Sequence, residues 1–98
     1  MLKIYDKAQW HIDAGEDGIS SVKRIKAVFE FLQEKEMLSD EGKEMVEMGI
    51  DSSISLNERM VTEQGNRFLE QCYDDILQIP LRSVKKELKE KYKIFFNM

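Results

Sequence analysis

Ninety-eight residues, 42% hydrophobic and 35% charged, describe a single globular domain spanning 1–98, in which area scaling predicts burial of roughly 65% of the unfolded chain's surface. No apolar run approaches the roughly 18 residues that cross a bilayer, and Met1-Leu2-Lys3-Ile4-Tyr5-Asp6 lacks the apolar stretch of a signal peptide. Cys72 is the only cysteine and the net charge is −4, so an intrachain disulfide is excluded and the expected address is a reducing cytoplasm.

Leu2 and Ile4 flank Lys3 in a period-two pattern, which suggests a short strand or an extended lead-in over 2–4. Asp6 is placed to cap a short helix through Ala8, Trp10 and Ile12. Ala14-Gly15-Glu16-Asp17-Gly18 reads as a loop. Ser20 or Ser21 then caps a helix whose apolar positions Val22, Ile25, Val28/Phe29 and Leu32 recur at three- and four-residue steps. That helix is expected to end near Glu36.

The next segment occurs twice. Leu38-Ser39-Asp40-Glu41-Gly42-Lys43-Glu44-Met45-Val46-Glu47 is matched 23 positions later by Val61-Thr62-Glu63-Gln64-Gly65-Asn66-Arg67-Phe68-Leu69-Glu70. Each copy runs apolar residue, hydroxyl, two acidic or amide residues, Gly, two polar residues, two large apolar residues, Glu. A Ser or Thr oxygen caps free N–H groups, and acids in the first turn favour the positive helix end, so both copies predict helix starts. The first helix runs from Ser39 to about Met48, with Gly49 as its stop. Between the copies, Ile54 and Leu56 alternate with polar neighbours and Asn57-Glu58 offers a turn, which leaves a small hairpin or an ordered loop as the two readings of this stretch. The second copy opens a helix with the stripe Phe68, Leu69, Cys72, Tyr73, Ile76 and Leu77, ending before Pro80. A last helix begins near Ser83 and presents Val84, Leu88, Tyr92 and Phe95, with Glu87 and Lys91 spaced for an i,i+4 pair. The fold expected is mainly α: a compact bundle of four or five helices, with a two- or three-stranded β element formed by residues 2–4 and 53–61.

Chemistry-bearing motifs are few. His11 is the only histidine, and Cys72 lies on an apolar stripe, where a thiol packs as a small hydrophobe. His11, Asp13 and Glu16 are the one candidate metal set, and their irregular spacing without a second histidine is weak. There is no phosphate loop and no nucleophile motif. The expectation is therefore no catalytic residue, no cofactor and no metal.

Charge is unevenly placed. Residues 39–58 hold six acids against Lys43, a net of −5, whereas 81–98 hold six cations against Glu87 and Glu90, a net of +4. Met37, Met45, Met48 and Met60 fall in or beside the acidic stretch, and methionine adapts to partner surfaces. An acidic field around adaptable apolar residues suits a basic partner protein. The candidate partner-binding residues are Asp40, Glu41, Glu44, Glu47, Met48 and Asp51. The leading expectation is a small protein-binding module, an inhibitor or immunity-type protein that neutralises a basic toxin or nuclease through an acidic helix. No membrane partner is expected, although Lys85 to Met98 sets lysines around Tyr92, Phe95 and Phe96.

One local passage, Arg59-Met60-Val61-Thr62-Glu63-Gln64-Gly65-Asn66-Arg67-Phe68-Leu69, resembles the step from wing to following helix in winged-helix transcription regulators. It covers 11 of 98 residues. The resemblance implies that the preceding helix enters the DNA major groove. Here that helix carries Asp40, Glu41, Glu44 and Glu47, which oppose the phosphate attraction that dominates DNA affinity, so nucleic acid is disfavoured there. A winged-helix-like regulatory adaptor associated with transcription is the alternative function, and a metal-dependent enzyme using His11 is the second.

Overall fold

In chain order, the computed structural model places β1 (Ile4–Lys7), α1 (Ala8–Asp13), α2 (Gly18–Glu34), α3 (Asp40–Met48), β2 (Ser55–Asn57), α4 (Glu63–Leu77) and α5 (Val84–Phe96), with 3₁₀ turns at Glu58–Met60 and Leu81–Ser83. It describes residues 2–96. The class is the expected one, mainly α with a two-stranded antiparallel sheet. Helix α2 is the centre of the core: Ile25, Val28, Phe29 and Leu32 are fully buried at helical spacing. Against them pack Phe68 and Ile76 of α4, Val84 and Leu88 of α5, and Leu56 of β2, in one continuous cluster.

The two-stranded element joins the two expected segments, with different bounds. The first strand lies at Ile4–Lys7, not 2–4, and no hairpin forms over 53–61. Instead β2 pairs with β1, Ile4 opposite Asn57 and Lys7 opposite Ser55. Ile54 and Leu56 both face the core, and β1 supplies the ladder that keeps them there. Asn57 does not turn the chain back. Its side chain accepts the Arg59 N–H at 2.9 Å and opens the 3₁₀ turn.

Two helix caps also move. Asp6 does not cap α1, which starts without a side-chain cap; its carboxylate is buried in β1. Helix α2 is capped by Asp17, whose Oδ1 accepts the Ser20 N–H at 2.8 Å, so the helix begins before either serine. At its other end Glu36 takes a left-handed φ of 58°, while the Met37 N–H returns to the Leu32 carbonyl at 2.8 Å. This is a Schellman closure with Glu where glycine is usual. Lys91 pairs with Asp75 of α4 at 2.8 Å, not with Glu87, which ties α5 to α4.

The duplicated segment does more than start two helices. Ser39 accepts the Gly42 N–H and Thr62 accepts the Gly65 N–H, at 3.2 and 3.1 Å. The copies also dock on each other. Leu38 and Val61 form an antiparallel bridge, in which the Ser39 N–H donates to the Met60 carbonyl at 3.0 Å and the Thr62 N–H to the Met37 carbonyl at 2.8 Å. These same carbonyls lie over the glycines. A Cβ on Gly65 would sit 2.8 Å from the Met37 oxygen, and one on Gly42 closer still to the Met60 oxygen. The repeated glycine is therefore the site where one copy's backbone crosses the other copy's first helical turn.

Alanine is the better helix former by about 1 kcal/mol, so helix propensity alone predicts that Gly42→Ala stabilises. The expected outcome is the reverse, a loss of about 2–3 kcal/mol from overpacking against backbone that cannot retreat, with a smaller loss for Gly65→Ala, both read by urea denaturation. Glu36→Gly should gain about 0.5 kcal/mol in the same assay, because glycine carries no Cβ penalty at that φ.

Candidate functional site

Helix α3 buries Gly42 and half-buries Met45 and Val46, a seam at three- and four-residue steps. The same period turns Asp40, Glu41, Glu44 and Glu47 to solvent. Among the described residues none of these acids forms an ion pair. The C-terminal cations do not reach them: Lys85 meets Glu30 and Lys91 meets Asp75. Asp40 and Glu41 sit on the first turn, where the helix dipole favours them. Asp51, in the loop after α3, accepts hydrogen bonds from the hydroxyl and backbone N–H of Ser53, which hold its carboxyl below the usual range.

Beside this ridge lies an open cavity of about 360 Å³, lined by Met45, Met48, Ile54, Met60, Asp51 and Ser55 among others. The structure thus brings together Met48 and Asp51 of the six expected residues, at one mouth. Asp40 and Glu41 stand at the far end of α3, about 12 Å along the axis at 1.5 Å per residue. Met48 is 75% exposed, a large apolar surface beside an acidic field. Of the other methionines, Met37 is fully buried in the core, while Met45 and Met60 line the cavity. Ile54 and Ser55 join the site only because β2 pairs with β1. They follow Met48 closely in the chain, but the intervening loop carries no local pattern that sets their direction relative to α3.

The remaining candidates are held elsewhere. His11 does not converge with Asp13 and Glu16; its Nε2 lies 2.8 Å from Asp6 Oδ1. Asp13 accepts from Gln9, and Glu16 accepts from Arg24 and Ser21. Among the described residues, no three His, Cys, Asp or Glu side chains gather as a metal site. Asp6 is the node that sequence reasoning missed, since an acid before Ala8 reads as a cap. It is wholly buried and accepts from the Tyr73 hydroxyl at 2.6 Å and its neighbour Lys7 N–H at 2.8 Å. Desolvation pushes its carboxyl above the usual range, against the lowering effect of Tyr73 and His11. The Tyr73 phenol is driven well up by burial and by the Asp6 charge. Near it, Arg24 donates to the Ile79 carbonyl at 2.7 Å and to Glu16 at 3.2 Å. Desolvation raises Glu16, but Arg24 outweighs it and keeps the carboxyl low. These groups join α1, α2 and α4 into a polar layer with little access for a substrate. Cys72 is 3% exposed within the core cluster, and burial pushes its thiol up to about 12.

No protein-family model, curated protein or solved structure matches this chain. No helix among the described residues is long and apolar enough to cross a membrane.

Asp6 carries a testable sign. A carboxyl raised in the folded state favours folding while protonated, and that contribution fades as pH climbs through its folded value. Wild-type stability relative to Asp6→Asn should therefore fall as pH rises from about 4, the unfolded value. Urea titrations across that range check the trend, whatever the constant offset between the two proteins.

Proposed function

We propose that this protein is a binding module for a basic protein partner, of the inhibitor or immunity type, and that α3 with its adjoining methionine-lined cavity is the contact surface. The observation that carries this reading is the ridge of four exposed carboxylates, without ion pairs among the described residues, beside a methionine-lined cavity with Asp51 at its rim. Exposed carboxylates without internal partners raise encounter rates with a cationic surface, and the exposed Met48 supplies area that can be desolvated on contact. A lysine or arginine stem fits such a site, since its methylenes lie on methionine while its charge meets Asp51. A duplex at the same ridge would set phosphates against four acids, so the charge favours protein over DNA. The expected cytoplasmic setting belongs to the same proposal.

The test combines partner capture with salt. A basic protein retained by the immobilised wild type should be lost as salt rises, and Glu44→Lys/Glu47→Lys should weaken its association at least about tenfold, mainly through slower encounter. Met48→Ala should instead speed dissociation. An association indifferent to salt and to both variants removes the ridge from the interface.

A further inference from the structure

A second surface has the opposite charge. Helices α2 and α5 run side by side in the same direction: Glu30 meets Lys85, and farther along Lys35 lies over the Tyr92 ring at 4.9 Å. Three adjoining cavities follow their seam. The first, about 450 Å³, gathers Lys23, Lys26, Arg82 and Lys85 around Ala27 and Leu81. The second shares Glu30 and Lys85 with it and adds Lys89 and Glu34. The third, about 370 Å³, holds Lys35, Lys86, Lys89, Glu90 and Lys93 beside Tyr92. Eight cations and three acids line this path, on a chain whose net charge is −4. One of the acids, Glu30, is already engaged by Lys85 at 3.4 Å.

We propose that the α2–α5 seam binds a short single strand of nucleic acid along its phosphate backbone. From Lys23 to Lys35 the seam extends about 18 Å at 1.5 Å per helical residue, room for about three to five nucleotides at 3.4 Å or more per step. Packed helices lie about 8–10 Å axis to axis, so the groove between them admits one strand and excludes a duplex. An acidic protein would need a desolvated apolar centre. The seam offers none: Ala27 and Phe31 are buried and Leu81 is half-buried. A bilayer would meet no continuous apolar face, because exposed apolar residues stand only at the two ends of the seam, Ile19 before Lys23 and, at the far end, Ile94 and Phe96. That end suits a base instead, because Phe96 is 43% exposed next to the last lysines, backed by Tyr92 at 4.5 Å, and bases stack on exposed aromatic rings. The surface is separate from the acidic ridge of α3 and does not depend on the protein partner proposed for it.

Fluorescence anisotropy of a labelled oligouridylate of about 12 nucleotides, titrated with the full chain from about 50 to 200 mM salt, is the test. The expected result is binding at low salt with a log–log slope near −3, as about four phosphates are neutralised. Lys26→Glu/Lys89→Glu should lose at least about tenfold in affinity and flatten the slope by about 1 or more, with melting by circular dichroism confirming the fold. Glu44→Lys/Glu47→Lys should bind at least as well as wild type. If the first double variant unfolds, Lys23→Gln/Lys93→Gln should still weaken binding severalfold. Absence of binding at low salt, equal binding by the folded seam variants, preference for a duplex of the same length, or retention on phosphatidylserine vesicles without oligonucleotide binding would each overturn the proposal.

Discussion

The reciprocal contact between the two copies of the repeat organises this molecule. Each copy places an apolar residue in the Leu38–Val61 bridge, a hydroxyl over its own first helical turn, and a glycine under the other copy's carbonyl. The arrangement answers two needs together. Helix starts leave unpaired N–H groups and a positive dipole end, and the hydroxyl and crossing carbonyl supply negative oxygen to both. The bridge also brings residue 38 to residue 61, so the intervening chain must return within a small span. That closure sets β2 beside β1 and folds Ile54 and Met60 under α3, which creates the cavity.

Charge segregation follows from the same packing. The seam that buries Gly42, Met45 and Val46 leaves the acids of α3 facing outward. Helix α5 docks along α2 and meets α4 through Lys91 and Asp75, so its other lysines collect on the α2 side. The opposite potentials of sequence segments 39–58 and 81–98 therefore persist on separate surfaces, where mutual neutralisation would have left neither exposed. The proposed protein contact and the proposed strand contact rest on these two surfaces respectively. Between them, the buried Asp6, Tyr73 and His11 cluster joins β1, α1 and α4. A carboxylate without water is retained there because a phenol, an imidazole and a backbone N–H all meet it.

Helices were legible because their signals are local. Apolar spacing placed α2 through Ile25 and Leu32, cap chemistry placed α3 at Ser39 and α4 at Thr62, and Pro80 separated α4 from α5. The acidic ridge was legible for the same reason, since Asp40, Glu41, Glu44 and Glu47 lie within three turns of one helix. The strand register and bounds were not. A three-residue strand carries almost no register information, and Ile54 and Leu56 fit a local hairpin as well as a partner about fifty residues away. Asp6 was misread because an acid before a helix is a cap in most settings, and only the approach of Tyr73 from α4 makes it a buried acceptor.

By itself, the amino-acid sequence determined the helical class, the caps at Ser39 and Thr62, the thiol's place on an apolar stripe and the uneven charge. Each of these depends on residues within about one or two turns of each other, where backbone geometry dictates the contact. Tertiary structure decided which carbonyl crosses which glycine, which strand completes the sheet, how Met45, Met60 and Ile54 share a cavity, and that lysines from α2 and α5 line one groove. These contacts join residues far apart in the chain. Their free energy comes from burial and pairing that exist only once the chain has closed on itself, so no local pattern records them.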